Sequence, residues 1–215
     1  MVFQASFKDE TGSGRLALNI ESYKLLYLFS CVTLCLIIIF PSFYMAFSIP
    51  AQEKFSEILL LGSTSMINNY PYNVSQGSSY SIYLILGNNM GSLQYYAIKM
   101  KFRNQSEPLP DRATGEPSPL PTLIEYRAFL KNGETWQRQV SFSFPKVSFE
   151  NNVSTVESVS IDGHRIFVNE NSAFNSTSSV FYYQFFFELW IYNSLSSSFQ
   201  FDGRYVAVKL NMTAP

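Results

Sequence analysis

One imidazole, His164, is all that this chain offers for proton transfer near neutral pH. It follows Asp162-Gly163, a turn dipeptide, which puts it at the exposed end of a hairpin. A Ser-His-Asp triad would have to use it, and no Gly-x-Ser-x-Gly elbow accompanies it. Both cysteines, Cys31 and Cys35, lie in an apolar run, so the remainder of the chain has no thiol nucleophile and no thiolate metal ligand. Acidic residues with calcium-loop spacing and a glycine-rich phosphate cradle are both missing. Paired carboxylates acting on a glycosidic bond are the remaining route to catalysis. Glu125, Glu134, Glu157 and Glu188 lie in or beside strand-like runs. Glu188, set among aromatics, is the one expected to pair with an arginine or to have a raised pKa. The expectation is a non-catalytic chain with no cofactor and no metal.

A different chemistry is written five times. Asn73-Val-Ser, Asn104-Gln-Ser, Asn152-Val-Ser, Asn175-Ser-Thr and Asn211-Met-Thr are acceptors for N-linked glycan, and all five lie beyond residue 50. At least three are expected to be occupied, which requires that part of the chain to be outside the cell.

The element that would place them there is residues 25–49, LLYLFSCVTLCLIIIFPSFYMAFSI, which carries no charge. A membrane core about 30 Å thick needs about 20 apolar residues in a helix. A cleaved leader has an apolar stretch of about 7–15 residues, so this run is expected to remain as an anchor in lipid. Pro41 is tolerated there as a kink. Lys8, Arg15 and Lys24 precede the span, while Lys54 is the only base close behind it, which favours a cytoplasmic N-terminus. Cys31 and Cys35 share one helix face and are expected to pack. The expected organisation is a cytoplasmic tail (1–24), one transmembrane helix (25–49) and an extracytoplasmic domain (50–215) at the cell membrane.

Composition narrows the partners. Charged residues make up 14% of the chain and aromatics 17%, and 13 acids face 12 bases beyond residue 50. No basic field exists to hold nucleic acid. The exterior is built from Ser, Asn, Thr, Tyr and Gln. An acidic medium, in which carboxylates protonate, or dense glycan would account for that choice.

Periodicity beyond residue 57 is two. Tyr96, Ile98, Met100 and Phe102 alternate with Ala97, Lys99, Lys101 and Arg103. Ile82, Leu84 and Leu86 form a second apolar row, and Ile124, Tyr126, Ala128 and Leu130 a third. A fourth, Trp136, Val140, Phe142 and Phe144, is interrupted by Arg138. Val206, Val208 and Leu210 form a fifth. Asn132-Gly133, Asp162-Gly163 and Asp202-Gly203 each separate two strand-like runs, as hairpins do. The expected fold is all-β: an antiparallel Ig-like sandwich of seven to nine strands behind one transmembrane helix.

Two segments stand out. Residues 107–121, EPLPDRATGEPSPLP, hold five prolines and cannot form a central strand. A crossover between sheets is expected there, with a partner-docking loop as the alternative. Residues 180–192, VFYYQFFFELWIY, are apolar on both faces. Either one face lies under a loop, or Tyr182, Phe186 and Trp190 meet a partner protein or the bilayer surface.

From Glu57 onward the chain resembles a family of archaeal membrane proteins, the domain-of-unknown-function family numbered 1616. The resemblance rests on Tyr70-Pro71-Tyr72-Asn73-Val74-Ser75-Gln76-Gly77. It continues through SYSIYLILGNNMGSLQYYAIKMKF, SPLPTLIEYRAFLKNGETWQRQVSFSF, FELWIY and GRYVAVKLNMT. It implies an archaeal origin and an extracytoplasmic β domain, and it attaches no catalytic residues. Many relatives carry several N-terminal spans, so no role for those spans carries over. The expected function is an accessory subunit or docking module of a membrane complex or cell envelope, with integral membrane or envelope proteins as partners. A glycan-binding module is the alternative, and an envelope glycoside hydrolase a remote one.

Overall fold

Among the described residues, alternating apolar positions form ten strands, which follow one helix in the sequence. The computed structural model describes residues 20–47, 53–177 and 179–213, and the chain divides into two compact units at Ala51/Gln52. In the first unit, α1 (Ile20–Phe47) contains Pro41. Its stretch Tyr23–Tyr44 is long and apolar enough to cross a membrane. The Thr33 and Ser42 hydroxyls donate to the carbonyls of Phe29 and Ile38, four residues back, so neither needs water. Cys31 and Cys35 are free thiols.

The second unit runs β1 (Phe55–Leu61), β2 (Asn73–Val74), β3 (Ser79–Asn89), β4 (Gln94–Asn104), β5 (Ile124–Leu130), β6 (Thr135–Glu150), β7 (Val153–Ile161), β8 (His164–Asn175), β9 (Val180–Asn193) and β10 (Ser198–Met212). One layer has the order β1-β3-β6-β7-β8 and the other β5-β4-β9-β10-β2. Two residue pairs, Phe174–Phe181 and Asn175–Val180, join β8 to β9 and make the layers one curled sheet, a half-barrel. It replaces the antiparallel Ig-like sandwich expected from the pattern. The sheet is mixed, because β2 runs parallel to β10: Asn211 N–H donates to Tyr72 O at 2.6 Å and Thr213 N–H to Val74 O at 3.0 Å.

The core fills the inside of the curl. Tyr96, Ile98, Met100 and Phe102 point inward as their alternation requires, as do Ile82, Leu84 and Leu86. β9 sits between β4 and β10. Its Phe185 ring lies 4.9 Å from Phe102 and 5.0 Å from Phe142, centroid to centroid, within the range of favourable aromatic pairs. Tyr183 packs on Phe102 at 5.3 Å, and its buried hydroxyl donates to Ser154 O at 2.7 Å. Burial holds that phenol's pKa up at about 12.

Three Gly-containing turns take three different forms. Asp162-Gly163 is the expected two-residue hairpin between β7 and β8, with φ of 48° and 83°. The Asp162 carboxylate also accepts from Tyr126 OH, Arg138 Nη2 and Ser141 N–H, so this turn pins β5 and β6 as well. Asn132-Gly133 is a corner instead: β5 pairs with β4 and β6 with β3, so the chain changes layers there. Buried Asn88 fixes that corner, with Nδ2 donating to Leu130 O (2.7 Å) and Ser92 O (2.8 Å). Asp202-Gly203 is a bulge inside β10, between the pairs Phe201–Trp190 and Tyr205–Glu188. The hairpin after β9 turns at residues 194–197, where Asn193 Oδ1 accepts the Leu195 amide at 2.9 Å. Asn151 and Asn152, both at positive φ, make the turn between β6 and β7. Asparagine tolerates that conformation, a cue present in the sequence.

Candidate binding surface

Strand register sorts the outer side chains of the β5-β4-β9-β10 layer into transverse rows. Phe129 opposes Tyr95, and Tyr192 opposes Phe199. The pair Tyr96–Ile191 brings Tyr95 beside Tyr192. Four aromatics from four strands therefore lie in one line at one end of the layer. Tyr95 and Phe129 stack in parallel at 3.9 Å. Tyr95 is 5.8 Å from Tyr192 and 4.9 Å from Phe199, and Tyr192 is 5.4 Å from Phe199. Phe129 is 65% exposed and Tyr192 36%. Leu93 precedes β4 and Leu195 tips the β9–β10 hairpin at the same end, and Leu195 is 96% exposed. Exposed apolar groups gathered at one end of a layer make this the candidate binding surface.

Arg127, in the next row, reaches over this end. Its guanidinium lies 5.3 Å from the Phe199 ring, and its Nη1 donates to Tyr95 OH at 3.3 Å. Glu125 accepts from Arg127 and holds that guanidinium's pKa up. Beside the row, side-chain amides are bonded within the chain: Asn193 Nδ2 donates to Gln200 Oε1 at 3.0 Å, and Gln94 Nε2 to the Ser92 hydroxyl at 3.0 Å.

Further along the same face the structure closes. Phe186 and Glu188 are fully buried beneath the proline-rich segment, whose Ser118 N–H donates to Glu188 Oε1 at 2.8 Å. This segment joins β4 to β5, which are neighbours in one layer, so it is a cover and not the expected crossover. Phe186 therefore belongs to the protein's own interior and offers no outer contact. Trp190 is half-buried, with Lys99 Nζ 3.5 Å above its ring and its Nε1–H donating to Glu188 Oε2 at 3.1 Å. Tyr182 is half-buried as well. Of the surface expected from β9, the exposed part is one step beyond Trp190, at Tyr192. The neighbours that complete it come from β4, β5 and β10. Each alternation was visible in sequence, but only the register brings the four together.

The candidate acids are dispersed. Glu157 pairs with Lys146 at 2.6 Å, and Glu134 accepts the Lys131 amide at 2.7 Å. Glu188 is paired, but with Lys101 and not with the expected arginine. His164 is exposed in the hairpin. Among the described residues no three His, Cys, Asp or Glu side chains are grouped to hold a metal ion. One acid pair does meet. Glu170 and Glu107 flank Asn104, whose Nδ2 donates to Glu170 Oε1 at 2.7 Å and whose N–H donates to Glu107 Oε2 at 3.0 Å. Burial, and then the nearby Glu107 charge, raise the Glu170 pKa.

The sequons differ in how far their amides are committed. Asn152 is exposed in its turn, and Asn73 is exposed at the start of β2. Asn175 Oδ1 accepts the Thr177 amide, and Asn211 Nδ2 lies 3.3 Å from Asn73 Oδ1. Asn104 is tied on both sides. Besides the bond to Glu170, its Nδ2 donates to Asn171 O, and its Oδ1 accepts from Ser106 and Glu107.

Residues 50–156 match the model of a family described as a domain of unknown function, DUF1616. No curated protein matches the chain. Among solved structures, a β-glucosidase from Listeria innocua in complex with glucose aligns with a TM-score of 0.38 and 8% identity, over 75% of this chain and 16% of that one. A β-D-glucoside glucohydrolase from Trichoderma reesei aligns with a TM-score of 0.30 and 8% identity, over 76% of this chain and 19% of that one. The chain thus spans less than a fifth of either enzyme. Overlap at that level carries no argument about activity.

Proposed function

We propose that this is a non-catalytic, single-pass membrane protein whose β domain docks a partner protein through the Phe129–Tyr95–Tyr192–Phe199 row. The α1 segment stays in lipid as the anchor. The tail is cytoplasmic, and the β domain projects outside the cell with N-linked glycan at Asn73, Asn152, Asn175 and Asn211. The host is an archaeon, in keeping with the family resemblance. The partner is an integral membrane or envelope protein, and the chain is an accessory subunit of that complex.

The observation that carries this proposal is the uncovered aromatic row. The proline-rich segment covers Glu188 on the outer face of β9, and Phe186 on that face is fully buried, yet this end is left open. Aromatics dominate the cores of protein interfaces. A glycan-binding module is the second possibility, because Gln94, Asn193 and Gln200 stand beside the row. Two features favour a protein partner. The Tyr95 ring is stacked on Phe129 and so lacks one free face for a sugar. The neighbouring amides are already bonded within the chain.

A photoreactive residue at position 129 distinguishes the two in native membranes. A single, recurrent protein adduct is expected there, and none from position 167, whose exposed Phe lies on β8 of the other layer. Saturable binding of envelope sugars that is lost in Tyr192→Ala would reverse the assignment.

A further inference from the structure

Along most of β10, the edge that faces away from β9 carries no neighbouring strand. In β10, the N–H groups of Asn211 and Thr213 point away from β9, toward Tyr72 and Val74. Backbone direction alternates along a strand, so Tyr205, Ala207 and Lys209 also turn their N–H and C=O groups away from β9. β2 reaches only Asn211 and Met212. The Tyr205 carbonyl accepts Arg112 Nη2 at 3.2 Å. The outward backbone groups of Ala207 and Lys209 have no partner among the described residues.

These groups open into a hollow of about 680 Å³. Consecutive residues 205–209 line one side, as a strand edge does, and Leu59–Leu61 of β1 line the other. The 84%-exposed Ile67, with Tyr70 and Tyr72, covers one flank. Past Arg112 the hollow meets a second, of about 520 Å³, between residues 55–58 and residues 203–206. Arg112 and Lys209 have no carboxylate partner among the described residues.

We infer that this seam accepts an extended segment of a partner polypeptide as an added strand on β10. Unpaired backbone donors and acceptors repeating along a strand are a template that another strand can pair with. From residue 205 to 209 the edge spans about 13 Å, at about 3.3 Å per residue, so a segment of about five residues fits it. Its inward side chains are apolar, to meet Leu60, Tyr70 and Val208. Its outward ones include a carboxylate facing Arg112 and Lys209. This site lies at the sheet edge and is independent of the aromatic row.

The test uses the full chain in lipid nanodiscs. The probe is a pooled library of seven-residue peptides that alternate Val, Ile or Phe with Thr or Glu. Hydrogen exchange at single-amide resolution is expected to show Ala207 and Lys209 exchanging freely alone and protected with bound peptide. Glu-bearing peptides are expected to be selected over Lys-bearing ones. Ala207→Pro removes an outward N–H that makes no bond to β9, so melting should be retained while affinity falls about tenfold, the worth of one hydrogen bond. Should that variant unfold, Arg112→Glu on the loop serves instead, with preference expected to switch to Lys-bearing peptides. Failure of the whole library to bind at millimolar peptide would overturn the inference. So would binding undiminished in a folded Ala207→Pro, or an unchanged preference in Arg112→Glu. Ala207 and Lys209 amides already protected without peptide would show a seam closed by the chain or a second copy, and would overturn it too.

Discussion

The Lys101 ammonium and the Glu188 carboxylate meet at 3.0 Å on the outer face of the β4–β9 pair, where the two side chains are 4% and 0% exposed. Three further bonds complete the group. Ser118 N–H donates to Glu188 Oε1 at 2.8 Å, Lys101 Nζ donates to Ser118 O at 2.5 Å, and Trp190 Nε1–H donates to Glu188 Oε2 at 3.1 Å. The ion pair thus binds the proline-rich segment to the sheet from below. A charge taken out of water is costly unless it is paired and fully hydrogen-bonded, and this pair is both.

Removing one partner strands the other. Lys101→Met should destabilise the β domain by about 3–5 kcal/mol, whereas Lys101→Met combined with Glu188→Leu should cost much less, because no lone charge remains. Urea unfolding of the two variants measures the difference. In Lys101→Met, limited proteolysis should also cut within residues 107–121 sooner than in the parent.

Asn88 holds the corner at which the chain changes layers. Besides its two amide donations, its Oδ1 accepts the Met90 N–H at 2.9 Å. Asn88→Ala leaves two carbonyls and one amide without their partner, so a loss on the order of 3 kcal/mol is expected. Asn88→Asp should be worse, since it replaces both donors with a buried charge. Thermal melting of the pair checks the order.

The Glu107–Glu170 meeting makes stability depend on pH. Burial and the neighbouring carboxylate raise the folded pKa of Glu170 above its unfolded value. A carboxyl raised in this way binds its proton more tightly when folded. Its contribution is fully present below the unfolded pKa and is lost as pH rises through the folded one. Asp202 is raised as well, by burial, against the lowering effect of Arg204, and acts in the same sense. Glu170→Gln should therefore raise the melting temperature at pH 7, with a gain that shrinks toward zero in acid. A gain independent of pH would contradict the assignment.

Glycan should be missing where the acceptor nitrogen is held by two hydrogen bonds. Asn73, Asn152, Asn175 and Asn211 are expected to carry glycan on protein from native membranes. Asn104, whose nitrogen donates two hydrogen bonds within the fold, is expected to be bare. Glycopeptide mass spectrometry reads each site.

Much of the fold was legible because alternation is local. The inward rows of β3, β4, β5 and β10 appear in the sequence as written, and Asp162-Gly163 is the hairpin its residue types demand. What escaped is set by pairing between distant strands. Asn132-Gly133 and Asp202-Gly203 have the same local preference for positive φ, yet one serves a corner and the other a bulge, since a dipeptide does not encode its strands' partners. The parallel β2 is two residues long and shows no alternation. The candidate surface escaped for the same reason. β9 displays its aromatics in sequence, but whether Phe186 or Tyr192 meets solvent depends on where residues 107–121 lie.

The most direct test of docking through the aromatic row is crosslinker-free mass spectrometry of the tagged chain, purified in mild detergent, beside a Phe129→Ser, Tyr192→Ser double variant. A constant set of integral membrane or envelope proteins at fixed stoichiometry with the parent chain, lost in a variant that still melts normally, is the predicted result. A parent chain that purifies alone, or a partner set that the double variant retains in full, would contradict it.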